Sequence, residues 1–199
     1  INARSFGEIP QNVSSKGLAL MQGLQDSGVL ACAKHFPGHG DTETDSHKTL
    51  PLINHSKERI DSVDVLPFKA LIDGGVASVM VAHLNIPSLD SIANIASTLS
   101  PYVVDTMLKQ QLHFKGLTFT DALNMKGVSS YYESGELEVS ALKAGNDVLL
   151  FPEDIPAAFK AIKKALIDSV IKESRLDESC IKILKAKEWL GLTMHKSLD

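Results

Sequence analysis

Val29-Leu30-Ala31-Cys32-Ala33-Lys34-His35-Phe36-Pro37-Gly38-His39-Gly40-Asp41-Thr42-Glu43-Thr44-Asp45-Ser46-His47 opens as an apolar run and closes as a loop of acids and histidines. Its first part, Val29 to Phe36, reads as a buried parallel strand, because a half-exposed strand would alternate apolar with polar residues. Three further runs have the same character: Val76 to Leu84, Leu117 to Thr120 and Val148 to Phe151. Helical spacing separates them. Pro67 to Ile72 reads as one helix, and Ser100 with Pro101 looks like an N-cap and N1 pair opening a helix toward Leu112. Leu137 to Ala144 ends at Gly145 in the C′ position. Ile155, Phe159, Ile162, Leu166 and Val170 lie on one helical face, and a last helix from about Asp177 carries Ile181, Leu184 and Trp189 to a stop at Gly191.

The order is therefore a helix followed by about four strand–loop–helix units, an α/β pattern with a parallel sheet. Periodicity leaves two architectures open, a doubly wound sheet and part of a (β/α)8 barrel. Both place their chemistry at the C-terminal ends of the strands, where the long polar loops fall. No linker or low-complexity segment divides the chain, so residues 1–192 read as one domain and 193–199 as a tail.

Bulk composition narrows the function. The 199 residues are 44% hydrophobic and 22% charged, the balance of an ordinary globular domain. Twenty Lys and Arg against twenty-four Asp and Glu give a net charge of −4. No basic run is interleaved with aromatics, so nucleic acid is not an expected partner. Cys32 and Cys180 are too few for a disulfide framework and lack zinc-site spacing; both read as packing residues. The sequence opens on ordinary polar residues, without the basic and apolar regions that mark a leader, and has no apolar run of the ~18 residues that a membrane span needs. The compartment is left open among cytoplasm, periplasm and cell envelope.

The loop after the first strand holds three histidines, a lysine and three acids, with Pro37, Gly38 and Gly40 shaping its backbone. Taken singly, each has an ordinary structural use, but their concentration at a strand's C-terminal end marks a site. His35, His39, Asp41, Asp45 and His47 could offer metal ligands, yet their spacing fits no standard motif and Lys34 would repel a cation, so no metal is expected. Asp45 and His47 suit a different task. The carboxylate can accept from one imidazole nitrogen and fix the tautomer, leaving the other nitrogen to exchange a proton near neutral pH. Asp121, alone at the end of Leu117-Thr118-Phe119-Thr120, either caps the following turn or serves as a carboxylate nucleophile at the strand's mouth.

Lys34 to His47 (KHFPGHGDTETDSH) and Thr118 to Met125 (TFTDALNM) closely resemble the N-acetylglucosaminidases of glycoside hydrolase family 3, a bacterial group active in peptidoglycan recycling and turnover. Arg4-Ser5-Phe6-Gly7-Glu8, Val79-Met80-Val81-Ala82-His83 and the stretch from Ile183-Leu184 to Gly191-Leu192 extend the likeness over nearly the whole chain. The resemblance implies a (β/α)8 barrel, of which the four units form the C-terminal half. It implies that Asp121 is the nucleophile, that Asp45 and His47 form the acid/base dyad, and that Arg4, Lys34 and His35 bind sugar hydroxyls. His83 falls near the site in the family.

The implied activity is a retaining β-N-acetylglucosaminidase acting on terminal β-linked N-acetylglucosamine through a covalent intermediate, without metal or organic cofactor. A β-glucosidase or N-acetylglucosamine phosphorylase of the same family is an alternative, and a non-catalytic carbohydrate-binding fragment is another. The family's first barrel half, with an acidic residue that grips the sugar, has no counterpart before Arg4. This chain alone is therefore expected to be inactive, and to need that half or self-association to cover its sheet edges.

Overall fold

The computed structural model describes residues 5–42, 50–92 and 94–192. Helix α1 (Pro10–Asp26) starts with proline at its first turn, where a missing N–H costs nothing, and its end turns through Gly28 at φ 79°. It leads into β1 (Cys32–Phe36). After the short helix α2 (Lys57–Arg59) and a π-type turn over Ile60–Asp64 comes α3 (Leu66–Asp73), and then β2 (Ser78–Val81). A second π-type helix, Tyr102–Gln111, precedes β3 (Leu117–Thr120). The short α4 (Lys126–Ser129) is followed by α5 (Glu136–Ala144), α6 (Ile155–Ile167) and α7 (Glu173–Trp189).

All strand pairs are parallel, and the spatial order is the chain order, β1-β2-β3. Val148 then joins the outer side of β3 through a bridge to Phe119. A doubly wound sheet reverses its strand order at a switch point, whereas a barrel adds each strand beside the last in one direction. The observed order is that of a sector of a (β/α)8 barrel.

The fourth predicted strand, Val148–Phe151, forms only that bridge. Thr120 N–H still reaches Val148 O at 3.0 Å, but Leu150 N–H is taken by the Thr120 side-chain hydroxyl at 2.9 Å, and Phe151 adopts a positive φ of 54°. The ladder is thus interrupted after one residue. The expected burial of both strand faces also needs correction. Ala33, Val79, Val81, Thr118 and Thr120 are buried; on the other face Ser78 and Leu117 are also buried, Met80 and Phe119 are half-buried, and only Cys32 and Lys34 of β1 are exposed. A three-stranded arc encloses its inner face only when further strands close round it. Cys180 is exposed as well, so neither cysteine is the packing residue expected.

The covered face meets the helices. Phe36 stands edge-on to Phe68 of α3, with ring centroids 5.2 Å apart, and Val79, Val81, Leu84, Val104 and Leu108 complete a core with essentially no solvent contact. Each such side chain contributes about 1.5–3 kcal/mol relative to exposure. Ser100 caps the Tyr102–Gln111 helix as its sequence predicts, its hydroxyl accepting from Val103 N–H at 3.1 Å. Gly145 closes α5 at φ 119°. Ile155 and Phe159 of α6 and Ile181, Leu184 and Trp189 of α7 face solvent. No helix among the described residues is long and apolar enough to cross a membrane.

Candidate active site

The C-terminal ends of β1, β2 and β3 bring His35, His83 and Asp121 to one edge of the sheet. At β1 the register shifts between Lys34 and Phe36, so His35 is an extra residue relative to β2. A bulge of this kind re-aims a side chain beside a site. His35 Nε2 lies 3.8 Å from Asp121 Oδ2, with both side chains largely buried. Lys34, the preceding residue, stays exposed on the strand's open face.

Asp121 is fixed by the backbone around it. Its N–H donates to Val81 O at 3.0 Å, continuing the β2–β3 ladder one residue past the strand, and its Oδ1 accepts from Ala122 N–H at 2.9 Å. His83, two residues beyond β2 and fully buried, donates from Nε2 to Ala122 O at 3.0 Å. Burial pushes the His83 imidazolium pKa down; the Ala122 carbonyl and the Asp121 charge oppose this, and His39 adds to it. The ring is neutral at physiological pH.

The loop leaving β1 is seated on the segment before α3. Gly38 has φ 151°, and a Cβ there would fall 2.6 Å from the Asp64 Cβ, a space only glycine permits. Arg59 Nη1 donates to Asp64 Oδ2 at 2.8 Å, and Asp41 pairs with His55 Nε2 at 2.6 Å. His39 stands edge-on to His35, with ring centroids 5.7 Å apart, and its Nδ1 is 3.3 Å from Thr42 Oγ1. Past the loop, Pro51–Ile53 is stitched to Asn85 by Asn85 N–H to Pro51 O at 2.8 Å and Ile53 N–H to Asn85 O at 2.9 Å.

Of the residues singled out by sequence, the structure therefore brings Asp121 and His35 together and places Lys34 beside them in the chain. Arg4, Asp45 and His47 lie outside the described residues. The seat formed by His55, Arg59 and Asp64 was not legible in sequence, because these residues follow the motif at a distance and belong to no motif of their own. His83 carried two signals, its position at the end of an apolar strand and its place near the site in the family that the sequence resembles.

A carboxylate held at a strand's mouth, beside histidines and with one oxygen directed away from its backbone anchor, can attack an electrophilic carbon. The chain belongs to glycoside hydrolase family 3: the family described as "Glycosyl hydrolase family 3 N terminal domain" matches residues 1–186. It is 34% identical to "Beta-hexosaminidase A" of Pseudoalteromonas piscicida over 94% of this chain and 34% of that protein. It is 30% identical to "Beta-N-acetylglucosaminidase/beta-glucosidase" of Cellulomonas fimi over 96% of this chain and 35% of that protein. Among solved structures, a glycoside hydrolase family 3 β-N-acetylglucosaminidase from Paenibacillus sp. str. FPU-7 superposes with a TM-score of 0.93 at 36% identity, covering 98% of this chain and 38% of that one. The chain thus spans about a third of the length of these relatives.

Proposed function

We propose that the protein carrying this chain is a retaining β-N-acetylglucosaminidase that releases terminal β-linked N-acetylglucosamine from peptidoglycan-derived or related glycans. The observation that carries this reading is the Asp121 carboxylate at the end of β3, anchored through Oδ1 by Ala122 N–H and facing His35 through Oδ2. Similarity to a β-hexosaminidase and to β-N-acetylglucosaminidases supports the sugar and the bond.

In this reading Asp121 Oδ2 attacks the anomeric carbon while protonated His47, oriented by Asp45, gives its proton to the departing glycosidic oxygen. The C–O bond to the leaving group breaks as the ester to Asp121 forms. Water then attacks the same carbon, neutral His47 takes its proton, and Asp121 is released as carboxylate. Arg4, Lys34 and His35 hold the sugar hydroxyls. His35 also places an imidazole next to the nucleophile, where a sugar hydroxyl can bridge the two. The roles of Arg4, Asp45 and His47 rest on the sequence motif.

Hydrolysis of an aryl β-N-acetylglucosaminide by the complete protein, run beside the aryl β-glucoside and with and without phosphate, tests the reading. Preferential release of free N-acetylglucosamine is expected. Preference for the glucoside, or a sugar phosphate as the main product, would replace it with one of the family's other activities, and binding without turnover would leave a carbohydrate-binding module.

A further inference from the structure

His83 takes no part in the chemistry described above, yet it is fully buried and spends its one N–H on the residue after Asp121. The acceptor, Ala122 O, is a carbonyl, so the proton sits on Nε2. The other end of that peptide unit, Leu123 N–H, donates to Leu150 O at 2.8 Å. The 122–123 peptide is thereby held between the segment that follows β2 and the segment that follows Val148. One unit upstream, Ala122 N–H holds Asp121 Oδ1 at 2.9 Å, and Asp121 N–H is fixed to Val81 O. The backbone on both sides of Ala122 is clamped, and the direction of the Asp121 carboxylate follows from it.

We infer that His83 is a positioning residue for Asp121: by holding the Ala122 carbonyl it fixes the backbone of Ala122, whose own N–H, one peptide unit upstream, retains Oδ1, and so selects Oδ2 as the attacking oxygen. This inference rests on the reading of Asp121 as nucleophile. The selection is chemically coherent, because in the ester Oδ2 becomes the bridging oxygen and Oδ1 the carbonyl oxygen, which still accepts from Ala122 N–H. The ring also keeps its charge state. Burial holds His83 neutral, and loss of the Asp121 charge on ester formation removes a group that favours the protonated ring. The Nε2–H donor therefore stays in place through both half-reactions.

The test compares His83→Leu, which removes the donor and fills the space, with His83→Gln, which retains an N–H. Both are measured in the complete protein by single-turnover formation of the glycosyl ester from an activated aryl N-acetylglucosaminide, and by the Kd for N-acetylglucosamine. A misdirected nucleophile predicts a loss of about 100-fold in ester formation for His83→Leu, with Kd changed by less than about threefold and recovery by His83→Gln to within about tenfold. Ester formation by His83→Leu within about threefold of wild type overturns the inference, as do equal losses in the two variants that track their thermal stability. Should circular dichroism show that His83→Leu does not fold, His83→Gln decides: recovery supports the inference and a 100-fold loss with intact fold overturns it. A wild type that forms no ester at Asp121 removes the nucleophile reading and this inference with it; a wild type that does, beside an unimpaired His83→Leu, removes the inference alone.

Discussion

Lys109 Nζ stands 3.8 Å from Asp147 Oδ1 at the end of β3 opposite Asp121. Asp147 has no side-chain exposure and is ringed by Arg175 at 3.0 Å and Lys182 at 3.2 Å, with Ser179 hydroxyl and Thr118 N–H completing its acceptor sites. Arg175 also donates to the carbonyls of Gly145 and Asn146. The two ends of β3 therefore differ in purpose: a carboxylate directed outward at the C-terminal end, and one enclosed by cations at the other, where barrel residues serve stability.

Removing the enclosed charge leaves three cations without their shared partner. Asp147→Asn is expected to lower unfolding free energy by about 3 kcal/mol or more, since breaking a buried pair strands the remaining charge. Burial alone would raise the Asp147 pKa, but Lys109, Lys182, Thr118 N–H and Ser179 together hold it below the ordinary value. Its contribution is thus present above the unfolded carboxylate value of about 3.9 and is lost as pH falls through the lower folded value. Urea denaturation at neutral and acidic pH checks both: the gap between wild type and variant should shrink on acidification.

Lys109 titrates in the opposite range. Burial lowers its pKa to about 8, against the pull of Asp147 and aided by Lys182 and Arg175. Between that value and about 10.4 the unfolded chain binds the extra proton, so the Lys109 contribution to stability rises with pH across this window. Measured as the difference between wild type and Lys109→Met, stability should shift in favour of wild type from pH 8 to pH 10. A constant difference, or a shift the other way, contradicts the assignment.

Gly38→Ala is expected to damage the loop seat. The left-handed φ and the approach of the new Cβ to Asp64 both oppose it, and displacement of the loop is expected to cost about 1–3 kcal/mol. In the complete protein, glycosidase activity should fall as the melting temperature does. An alanine variant with wild-type melting temperature and activity would show that the contact with Asp64 is not needed.

In the proposed mechanism, His47→Ala separates proton donation from nucleophilic attack. Substrates with poor leaving groups should lose far more rate than activated aryl glycosides, which depart with little protonation. Equal losses across a leaving-group series would argue against His47 as the acid.

Where apolar pattern and structure coincide, the sequence was readable. Leu117–Thr120 is the strand it predicts to be, and α5 ends at Gly145 as expected. Val29 does not start a strand, because its N–H still bonds Leu24 O at the close of α1. Val170 falls beyond the end of α6 at Ile167. The clearest departure is α7, which begins at Glu173 and not near Asp177. Its inward side places Arg175, Ser179 and Lys182 at helical spacing around Asp147, while Ile181, Leu184 and Trp189 point to solvent. The apolar positions read from sequence lie on the exposed side, whereas the covered side mixes those polar groups with half-buried Leu176, Ile183 and Ala186, so the apolar period alone does not mark where the helix begins. At the candidate site, the motif singled out Asp121 and His35, which the structure brings to within 3.8 Å of each other, but contacts made through main-chain atoms, such as His83 to Ala122 O, leave no pattern in side-chain types.

In the proposed mechanism Asp121 forms the covalent bond to the sugar. Incubating the complete protein with a fluorinated N-acetylglucosaminyl donor that forms its ester faster than it hydrolyses, followed by peptide mass spectrometry, tests this directly. The added sugar mass should appear on the peptide containing Asp121 and be absent from Asp121→Asn, a variant expected to fold normally and to lose turnover. Label on a different carboxylate, or wild-type turnover by Asp121→Asn, would contradict the account.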